Sequence, residues 1–311
     1  MIRLAAVLLL ALFAVPAAAQ QTWHPDPSAT EIPLWPAGLA IAQPITTIPE
    51  QSGQPAKLVA GKPWTYLLNV TRPTMVIYPP KGANTGAAVM VFPGGGYEVL
   101  AMEGTEVCDW LTARGITCVL LKYRVPGSGP QYDDACKCPK EPTVPMALQD
   151  AQRAMGMLRQ RAASLHIDPH RIGVIGFSAG GHLVVDISNR FERAYTPIDE
   201  ADRQPSRPDF AIALYPGHLW ESEQFELHPR NKVIAQAPPT LLIHAENDSV
   251  DDVRNSLVYF VALKDLKVPV ELHVYPTGGH AFGLRRTADP ITGWPELAEK
   301  WMTSIGMLPK R

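Results

Sequence analysis

The fold is decided by the stretch Arg171-Ile172-Gly173-Val174-Ile175-Gly176-Phe177-Ser178-Ala179-Gly180. Its first half is a short apolar run of the kind that forms a buried strand, and a helical pattern follows Gly180. The glycines on either side of Ser178 leave room for a sharp turn that holds the hydroxyl where a base can reach it. The motif therefore predicts a nucleophilic serine. A glycine-rich helix cap with an incidental serine is the alternative that this motif alone leaves open.

Strand-like and helix-like segments alternate along most of the chain. Short β-branched or apolar runs occupy 74–78, 87–92, 117–122, 172–175, 210–214, 240–244 and 270–275. Apolar residues at helical spacing fill 103–114, 144–165, 180–190 and 253–266. This alternation predicts the α/β class, with a doubly wound, mostly parallel sheet and helices on both faces.

The first 60 residues differ in composition from the rest. Residues 1–19 hold Arg3, the apolar run 4–15 and then three alanines, which is the layout of a signal peptide. The apolar run is shorter than the roughly 20 residues that span a bilayer, so we expect a secreted or periplasmic protein without membrane attachment after cleavage. Residues 20–60 are rich in proline and predict an extended arm, which leaves 61–311 as the catalytic domain.

The charge balance and the cysteines narrow the possible partners. The chain has 28 basic and 30 acidic residues, so no overall basic field would draw it to nucleic acid, and small or neutral substrates are favoured. Its four cysteines permit up to two disulfides, with the pairing open: Cys108, Cys118, Cys136 and Cys138. The Cys136-Lys137-Cys138 stretch lacks the spacing and further ligands of a metal site, so we expect no metal there.

A second predicted strand runs straight into three glycines, in Phe92-Pro93-Gly94-Gly95-Gly96-Tyr97. Acyl transfer develops negative charge on a carbonyl oxygen, and backbone N–H groups free of side-chain obstruction can stabilise it. We expect the N–H groups of Gly95, Gly96 and Ala179 to form this oxyanion hole. A phosphate loop is disfavoured because neither Gly-Lys-Ser/Thr nor G-x-G-x-x-G occurs here.

A base and an acid are expected on loops after two later strands. The chain order Ser178, Asp248, His280 is the order of nucleophile, acid and base that this architecture requires. His280 lies in a glycine-rich loop and is free to reach the serine. Other histidines fall in a predicted helix or in strands, where packing or surface exposure is the expected role: His182, His244 and His273.

Two further aspartates compete with Asp248 for the role of acid. Asp251 and Asp252 come later, toward the start of the next predicted helix, where carboxylates interact favourably with the helix dipole. We therefore assign the acid to Asp248. Polar residues elsewhere are predicted to be structural. Arg124 ends a predicted strand and Asp150 and Arg153 lie in a helical pattern, so we expect an ion pair that supports a loop there rather than a catalytic role.

Two long segments interrupt the alternation of strands and helices. Residues 125–143 are rich in proline and glycine, and residues 216–236 mix acidic and aromatic side chains. Long loops at the carboxyl ends of parallel strands line the ligand crevice, so we expect both to shape the substrate site. Tyr97, Trp220 and Phe225 are expected near that crevice, although packing is the commoner role for each aromatic alone.

The motifs together resemble the secreted bacterial acetyl esterases related to acetylxylan and feruloyl esterases. The stretches that carry the resemblance are 32–36, 92–97, 121–126, 176–182, 244–248 and 278–284. It implies the α/β-hydrolase fold, no cofactor, and deacylation of small-molecule or oligosaccharide esters, including those of plant polysaccharides. The same residues take the family roles: Ser178 as nucleophile, Asp248 as acid, His280 as base, and Gly95, Gly96 and Ala179 as oxyanion donors. Ala281, where that group often has glycine, and the Cys-Lys-Cys insert depart from the pattern.

Other functions compete with this one. A prolyl-peptidase-like hydrolase would share the triad and fold, but those enzymes usually carry a propeller, and fewer than 70 residues precede the first predicted strand here. A dienelactone-hydrolase-like hydrolase is a further alternative. A lipase is expected to show a broad apolar lid, whereas 216–236 is mixed and acidic. A non-catalytic carbohydrate-binding homologue would lack a triad member, and none is missing.

Overall fold

The sheets and helices are taken from a computed structural model, which describes residues 23–41, 43, 48–102, 104–125, 132–133, 138–139, 143–220 and 224–310. The strands are β1 (Thr30–Pro33), β2 (Gln51–Gly53), β3 (Tyr66–Leu68), β4 (Thr74–Tyr78), β5 (Ala88–Phe92), β6 (Leu100–Ala101), β7 (Thr117–Lys122), β8 (Tyr132–Asp133), β9 (Cys138–Pro139), β10 (Ile172–Phe177), β11 (Phe210–Leu214), β12 (Thr240–Ala245) and β13 (Val270–Tyr275). The helices are α1 (Gly104–Thr112), α2 (Thr143–Gln160), α3 (Ala179–Asn189), α4 (Arg254–Asp265) and α5 (Trp294–Ser304).

The main sheet has eight strands in the order β1-β4-β7-β5-β10-β11-β12-β13. The run from β7 to β13 is parallel, β4 pairs antiparallel with β7, and β1 pairs antiparallel with β4. All seven predicted strands form, and the predicted doubly wound, mostly parallel sheet is confirmed. The carboxyl ends of its parallel strands lie at one edge, where loops from distant parts of the sequence meet.

Continuous apolar sequence explains why the central strands are interior. Every residue of β5, β7, β10, β11 and β12 is buried, as expected for parallel strands that helices cover on both faces. The last strand, β13, lies at the sheet edge and is partly exposed. The strands that precede Ser178 and Asp248 are thus covered on both faces, whereas the strand that precedes His280 is the edge strand.

The helices form two groups. Helices α1 and α5 lie together, with the rings of Trp110 and Trp294 5.5 Å apart and Arg114 Nε 2.7 Å from Glu299. Helices α2 and α3 pack against each other, and Asn189 at the end of α3 donates to the hydroxyl of Tyr259 in α4 at 3.0 Å. Together the two groups cover the sheet.

One disulfide joins Cys108 of α1 to Cys118 of β7. It closes a short loop between a helix and the strand that the helix packs on. Such a link favours the folded state mainly by restricting the unfolded chain. Cys136 and the side chain of Cys138 lie outside the described residues, so the possible second disulfide stays a prediction.

The proline-rich arm is attached to the sheet rather than merely lying over it. Part of it forms β1, and Trp35 then donates its indole N–H to Asp150 Oδ1 at 2.7 Å. Asp150 also binds Arg124 at 2.8 Å, and both side chains are fully buried, so an ion pair of the expected kind forms between these two residues. Arg153 donates to the carbonyl of Leu34 at 3.0 Å. The arm therefore covers a buried charged pair.

The two long segments contain little regular structure. The described parts of 125–143 include β8 and β9, which pair antiparallel, and the start of α2. Within 216–236, the described residues form neither helix nor strand. The predicted signal peptide lies outside the described residues. No helix in the described part of the chain is long and apolar enough to cross a membrane.

Candidate active site

Ser178 occupies the turn between β10 and α3, as the sequence predicts. Its φ is 53°, a conformation that few non-glycine residues adopt, and its N–H donates to the carbonyl of Leu214 at 3.1 Å. Added Cβ atoms at Gly176 and Gly180 would lie 2.1 Å from the backbone oxygens of Gly180 and Phe92, respectively. Only glycine permits these close approaches, so the motif is required by the turn itself.

The triple-glycine loop lies beside this turn. A Cβ added to Gly94 would lie 2.9 Å from the carbonyl oxygen of Phe177 and 3.3 Å from Ser178 Cβ. The loop then reverses direction, with the N–H of Val99 bonded to the carbonyl of Gly95 at 3.1 Å. The loop that carries Gly95 and Gly96 is thus adjacent to Ser178, and Ala179 begins α3 directly after that serine.

Three side chains connect this loop to α3 and to the 216–236 segment. Asn231 donates to the carbonyl of His218 at 2.8 Å, so its side-chain oxygen is free to accept from His182 Nε2 at 3.0 Å. His182 Nδ1 then accepts the hydroxyl proton of Tyr97 at 2.7 Å. Burial raises the pKa of Tyr97 well above its usual range, so it remains a donor. His182 and Tyr97 therefore hold the glycine loop in place.

His280 and Asp248 are brought together from loops after β13 and β12. Asp248 Oδ2 lies 2.8 Å from His280 Nδ1, so the carboxylate accepts that N–H and leaves Nε2 as the basic nitrogen. The ring of His280 stands edge-on to Tyr215, with centroids 4.8 Å apart. The structure thus brings together the two residues that the sequence predicts as acid and base, in a tautomer that leaves Nε2 without a proton.

Asp251 differs from the expectation that it would serve the next helix. Helix α4 begins at Arg254, and the residue that caps its first turn is Asp252, whose side chain accepts the N–H of Arg254 at 2.8 Å. Asp251 instead accepts the hydroxyl proton of Ser178 at Oδ2, at 3.1 Å. The same oxygen lies 3.9 Å from His280 Nε2. Local sequence position alone gives no signal of this contact.

The two site aspartates have opposite pKa shifts. Burial by itself would raise the pKa of Asp248, but hydrogen bonds from His244 and His280 outweigh it and hold this pKa far below its usual range. Burial raises the pKa of Asp251, and the negative charge of Asp248 adds to the rise, against the opposing effect of His280 and Ser178. Asp248 is therefore firmly ionised, whereas Asp251 is held in a less favourable environment for its charge.

His244 is a buried residue that supports these aspartates. Its Nε2 donates to the backbone carbonyl of Asp251 at 2.8 Å and lies 3.5 Å from Asp248 Oδ2. Its Nδ1 is 2.7 Å from the hydroxyl of Ser256. The packing role expected for it is thus combined with positioning the acid loop. His273, by contrast, pairs with Glu271 on the partly exposed edge strand.

A cavity of about 270 Å³ adjoins His280 on the side of the N-terminal arm. The arm continues past residue 60, because a bridge joins Val59 to Lys62, and we count it to Trp64 from here on. The cavity walls include Leu58 and Trp64 from this arm and Phe282 from the histidine loop. Arg285 fixes the arm there, donating to the carbonyls of Val59, Lys62 and Pro63 at 2.8 to 2.9 Å. The predicted boundary at residue 60 therefore falls inside a loop that borders the cavity.

The aromatic residues expected near the crevice have different roles. Tyr97 is buried in the network with His182, and Trp220 lies against the guanidinium of Arg254, 3.6 Å from ring centroid to Cζ. Phe225 is 58% exposed. The Tyr97 hydroxyl bonds to His182 in α3, and its ring centroid lies 5.9 Å from that of His218 in the 216–236 segment.

A model of the prolyl oligopeptidase family matches residues 105–291, a range that contains Ser178, Asp248 and His280. The chain belongs to the prolyl oligopeptidase family. Several curated proteins similar to this chain are named as esterases. An acetylxylan esterase of Xylanibacter ruminicola is 30% identical over 234 residues, which are 67% of this chain and 43% of the relative. An ethyl acetate hydrolase of Pseudomonas putida is 26% identical over 250 residues, 68% of this chain and 71% of the relative.

Other members and neighbours agree with the fold. The endo-1,4-beta-xylanase B of Butyrivibrio fibrisolvens is 27% identical over 66% of this chain, which matches 34% of the relative. The chain thus spans less than half the length of the first two curated relatives it matches. The crystal structure of an acetyl ester-xyloside bifunctional hydrolase from Caldicellulosiruptor lactoaceticus is 32% identical, with a TM-score of 0.70, over 90% of this chain and 97% of that one. The α/β-hydrolase fold and the resemblance to acetylxylan esterases are confirmed.

Proposed function

We propose that this member of the prolyl oligopeptidase family is a serine esterase that removes short acyl groups, acetyl above all, from hydroxylated carbohydrates. The observation that carries the proposal is the 2.8 Å contact of Asp248 with His280 Nδ1, beside a serine held at positive φ. A strained serine, a histidine with a free Nε2 and a buried carboxylate are the parts that acyl transfer to a hydroxyl requires.

In the proposed reaction, Ser178 Oγ attacks the ester carbonyl while His280 Nε2 takes the hydroxyl proton. Asp248 stabilises the resulting imidazolium through Nδ1 and keeps the ring oriented. Collapse of the tetrahedral intermediate expels the alcohol, which receives the proton from Nε2 and leaves an acyl-enzyme. Water then repeats the same steps and releases the acid.

The N–H groups of Gly95, Gly96 and Ala179 are proposed to bind the negative oxygen of the intermediate. Support comes from the position of the glycine loop against the nucleophile turn and from the bonds of Tyr97 and His182 that fix it. Donors that are already in place need no reorganisation when the charge develops. No cofactor has a part in this mechanism.

The substrate class is inferred from the relatives and from the cavity. Two relatives are named for acetylxylan and ethyl acetate, both esters of a short acyl group. The cavity of about 270 Å³ beside His280 is bounded by Trp64 and Phe282, and an aromatic wall suits a sugar ring. We propose no nucleic-acid or membrane partner, and we propose export to the periplasm or medium because residues 1–19 have the signal pattern.

The proposal is tested with p-nitrophenyl esters from acetate to decanoate, beside acetylated xylan, acetylated mannan and methyl ferulate. We expect kcat/KM to be highest for acetate and acetic acid to be released from the acetylated polysaccharides. A higher kcat/KM for decanoate than for acetate would contradict the short-acyl preference. For export, N-terminal sequencing of protein from the periplasm or medium should give a start near Gln20; full-length protein in the inner membrane would contradict it.

Peptidase activity is the second candidate, because the matching family model is that of prolyl oligopeptidases. Glycyl-prolyl-p-nitroanilide is therefore included in the same assays. Cleavage of this amide with a higher kcat/KM than that of p-nitrophenyl acetate would favour the peptidase over the esterase.

A further inference from the structure

Asp251 is placed where the proposed mechanism gives it no role. Its Oδ2 accepts the hydroxyl proton of Ser178 at 3.1 Å, and among the described residues this carboxylate is the only hydrogen-bond partner of that hydroxyl. The same oxygen is 3.9 Å from His280 Nε2, the atom that must take the proton. One oxygen thus adjoins both reacting groups.

The backbone holds Asp251 in this position. Its N–H donates to Asp248 Oδ1 at 3.0 Å, and its carbonyl accepts from His244 Nε2 at 2.8 Å. The two aspartates are therefore mounted on one rigid turn. A displacement of the Asp248 side chain would therefore break a bond to the backbone that carries Asp251.

Gly217 makes room for the carboxylate from the opposite side. A Cβ at this position would lie 2.4 Å from Asp251 Oδ1 and 2.8 Å from Oδ2. Gly217 does not have a positive φ, so backbone conformation does not require glycine there. The space that glycine leaves is occupied by the Asp251 carboxylate.

We propose that Asp251 is a second catalytic carboxylate, which holds the Ser178 hydroxyl in the resting enzyme and stabilises the charge of His280 during acyl transfer. The proposal rests on the esterase function proposed above and adds to it. In a Ser-His-Asp site the serine normally bonds to the histidine directly. Here the hydroxyl must turn from Asp251 to His280 as the reaction begins.

The step balances without further groups. The O–H bond of Ser178 breaks, its proton moves to His280 Nε2, and Oγ forms a bond to the carbonyl carbon, whose π electrons move onto oxygen. Asp251 stays ionised throughout and ends 3.9 Å from the new N–H of the imidazolium. Its negative charge favours that state, as Asp248 does from the other nitrogen.

In the described part of the chain, a small set of charged and titratable groups faces the site. Three residues from other loops face His280. Asp248 and Asp251 come from the turn after β12, and Tyr215 comes from the loop after β11. Lys57 and Asp289 border the cavity on its other side. Asp251 itself is surrounded by Ser178, His280, Asp248 and His244, and its burial raises the pKa of its carboxyl. Removal of the Asp251 charge is therefore the change that acts most directly on His280 Nε2.

The decisive variant is Asp251→Asn, which keeps a hydrogen-bond acceptor for Ser178 but removes the charge. Loss of one of two neighbouring negative charges makes the imidazolium less stable, so we expect the midpoint of the acid limb of kcat/KM to move down by about one pH unit. The plateau value of kcat/KM should fall about tenfold, since one pH unit corresponds to a factor of ten in proton affinity. The loss relative to wild type should therefore shrink as the pH falls.

Three further variants separate this role from a structural one. Asp251→Glu keeps the charge and should retain the wild-type midpoint, whereas Gly217→Ala, which crowds the carboxylate, should move the midpoint in the same direction as Asp251→Asn. Asp252→Asn is the matched control, because Asp252 pairs with Arg254 at the surface and should leave the profile unchanged. Circular dichroism and thermal melting verify that each variant is folded.

The rate at which a p-nitrophenyl phosphonate modifies Ser178, followed by p-nitrophenol release and mass spectrometry, is measured across the same pH range. If acetyl esters are not cleaved, the proposed function fails, and this second readout still decides the role of Asp251. An Asp251→Asn variant with the wild-type midpoint and rate in both assays would overturn the proposal. So would an Asp251→Asn variant that does not react while His280→Ala does, because Asp251 would then be the base.

Discussion

Asp150 and Asp251 are both carboxylates withdrawn from solvent, yet their surroundings differ. Asp150, with 0% of its side chain exposed, lies 2.8 Å from the guanidinium of Arg124 and accepts the indole N–H of Trp35. Asp251 faces a serine hydroxyl and a histidine ring, and among the described residues no lysine or arginine lies within ion-pair distance of it.

The difference separates a structural charge from a functional one. An ionised group taken out of water is costly unless a partner of opposite charge and hydrogen bonds compensate it. Asp150 has both, so it anchors the arm to the sheet. Asp251 has no lysine or arginine partner among the described residues, and burial, together with the charge of Asp248, raises its pKa. Its partner is a cation that exists only while His280 holds the serine proton.

The largest effect is expected in the cleft and should concern activity alone. Ser178→Ala and His280→Ala should each lower kcat by about 10⁴-fold or more, because a serine without its base is a weak nucleophile. Asp248→Asn should cost somewhat less, since it misorients the imidazole without removing it. Hydrolysis of p-nitrophenyl acetate and thermal melting measure both properties. Wild-type turnover by Ser178→Ala would exclude the serine mechanism.

At the arm, the expected effect is on stability. Asp150→Ala leaves the Arg124 charge buried without its partner, which should reduce the free energy of unfolding by about 3–5 kcal/mol. The control is Asp109→Ala, whose pair with Lys81 is exposed at the surface and should contribute less than about 1 kcal/mol. Urea denaturation gives both values. Equal losses from the two variants would contradict the comparison.

A smaller change of opposite sign is expected for the stability of Asp251→Asn. The folded state raises the pKa of Asp251 above the ordinary value of 3.8, so ionising it costs stability as the pH rises from that value through the folded pKa. The free energy of unfolding of the variant at pH 7 should therefore be higher than that of the wild type by about 0.5–2 kcal/mol. The gain should disappear below pH 3.8. Urea denaturation at both pH values measures this difference. A variant less stable than the wild type at pH 7 would show that the Asp251 charge does not destabilise the folded state.

An effect of similar size, on substrate binding rather than on stability, is expected at the cavity wall. Arg285→Ala removes three hydrogen bonds to the arm and should raise KM for acetylated xylo-oligosaccharides by about tenfold, corresponding to about 1.4 kcal/mol. Turnover of p-nitrophenyl acetate should change little, since it does not need the arm. Arg286→Ala is the control, because Arg286 pairs with Glu296 at the surface. An equal rise in KM for both substrates would show that Arg285 supports the site as a whole.

Much of the sheet could be predicted because its strands carry their own signal. Residues 172–177 and 210–214 are continuous apolar runs, and burial on both faces requires little else. The short edge strand β1 gave no such signal, since it contains Glu31 and Pro33 and depends on pairing with β4. Chain order and turn chemistry were enough to point to Ser178, Asp248 and His280.

Contacts between distant segments could not be predicted in this way. Trp35 bonds to a residue 115 positions away, and the partner of Ser178 lies 73 positions along the chain. Local spacing assigns Asp251 to the helix that follows it, because contacts between distant segments leave no trace in that spacing. Its true neighbours are set by how β10, β11 and β12 align in the sheet, with Gly217 leaving the necessary space.

The bonds from Arg285 to the arm can form only late in the synthesis of the chain. Pro63 is synthesised 222 residues before the arginine that fixes it, and Glu106, which also binds Arg285, 179 residues before. All the strands through β13 would therefore be synthesised before Arg285 could bind the arm and complete the cavity wall. Recognition of a bulky substrate would be among the last properties that a growing chain acquires, after the nucleophile turn has been made.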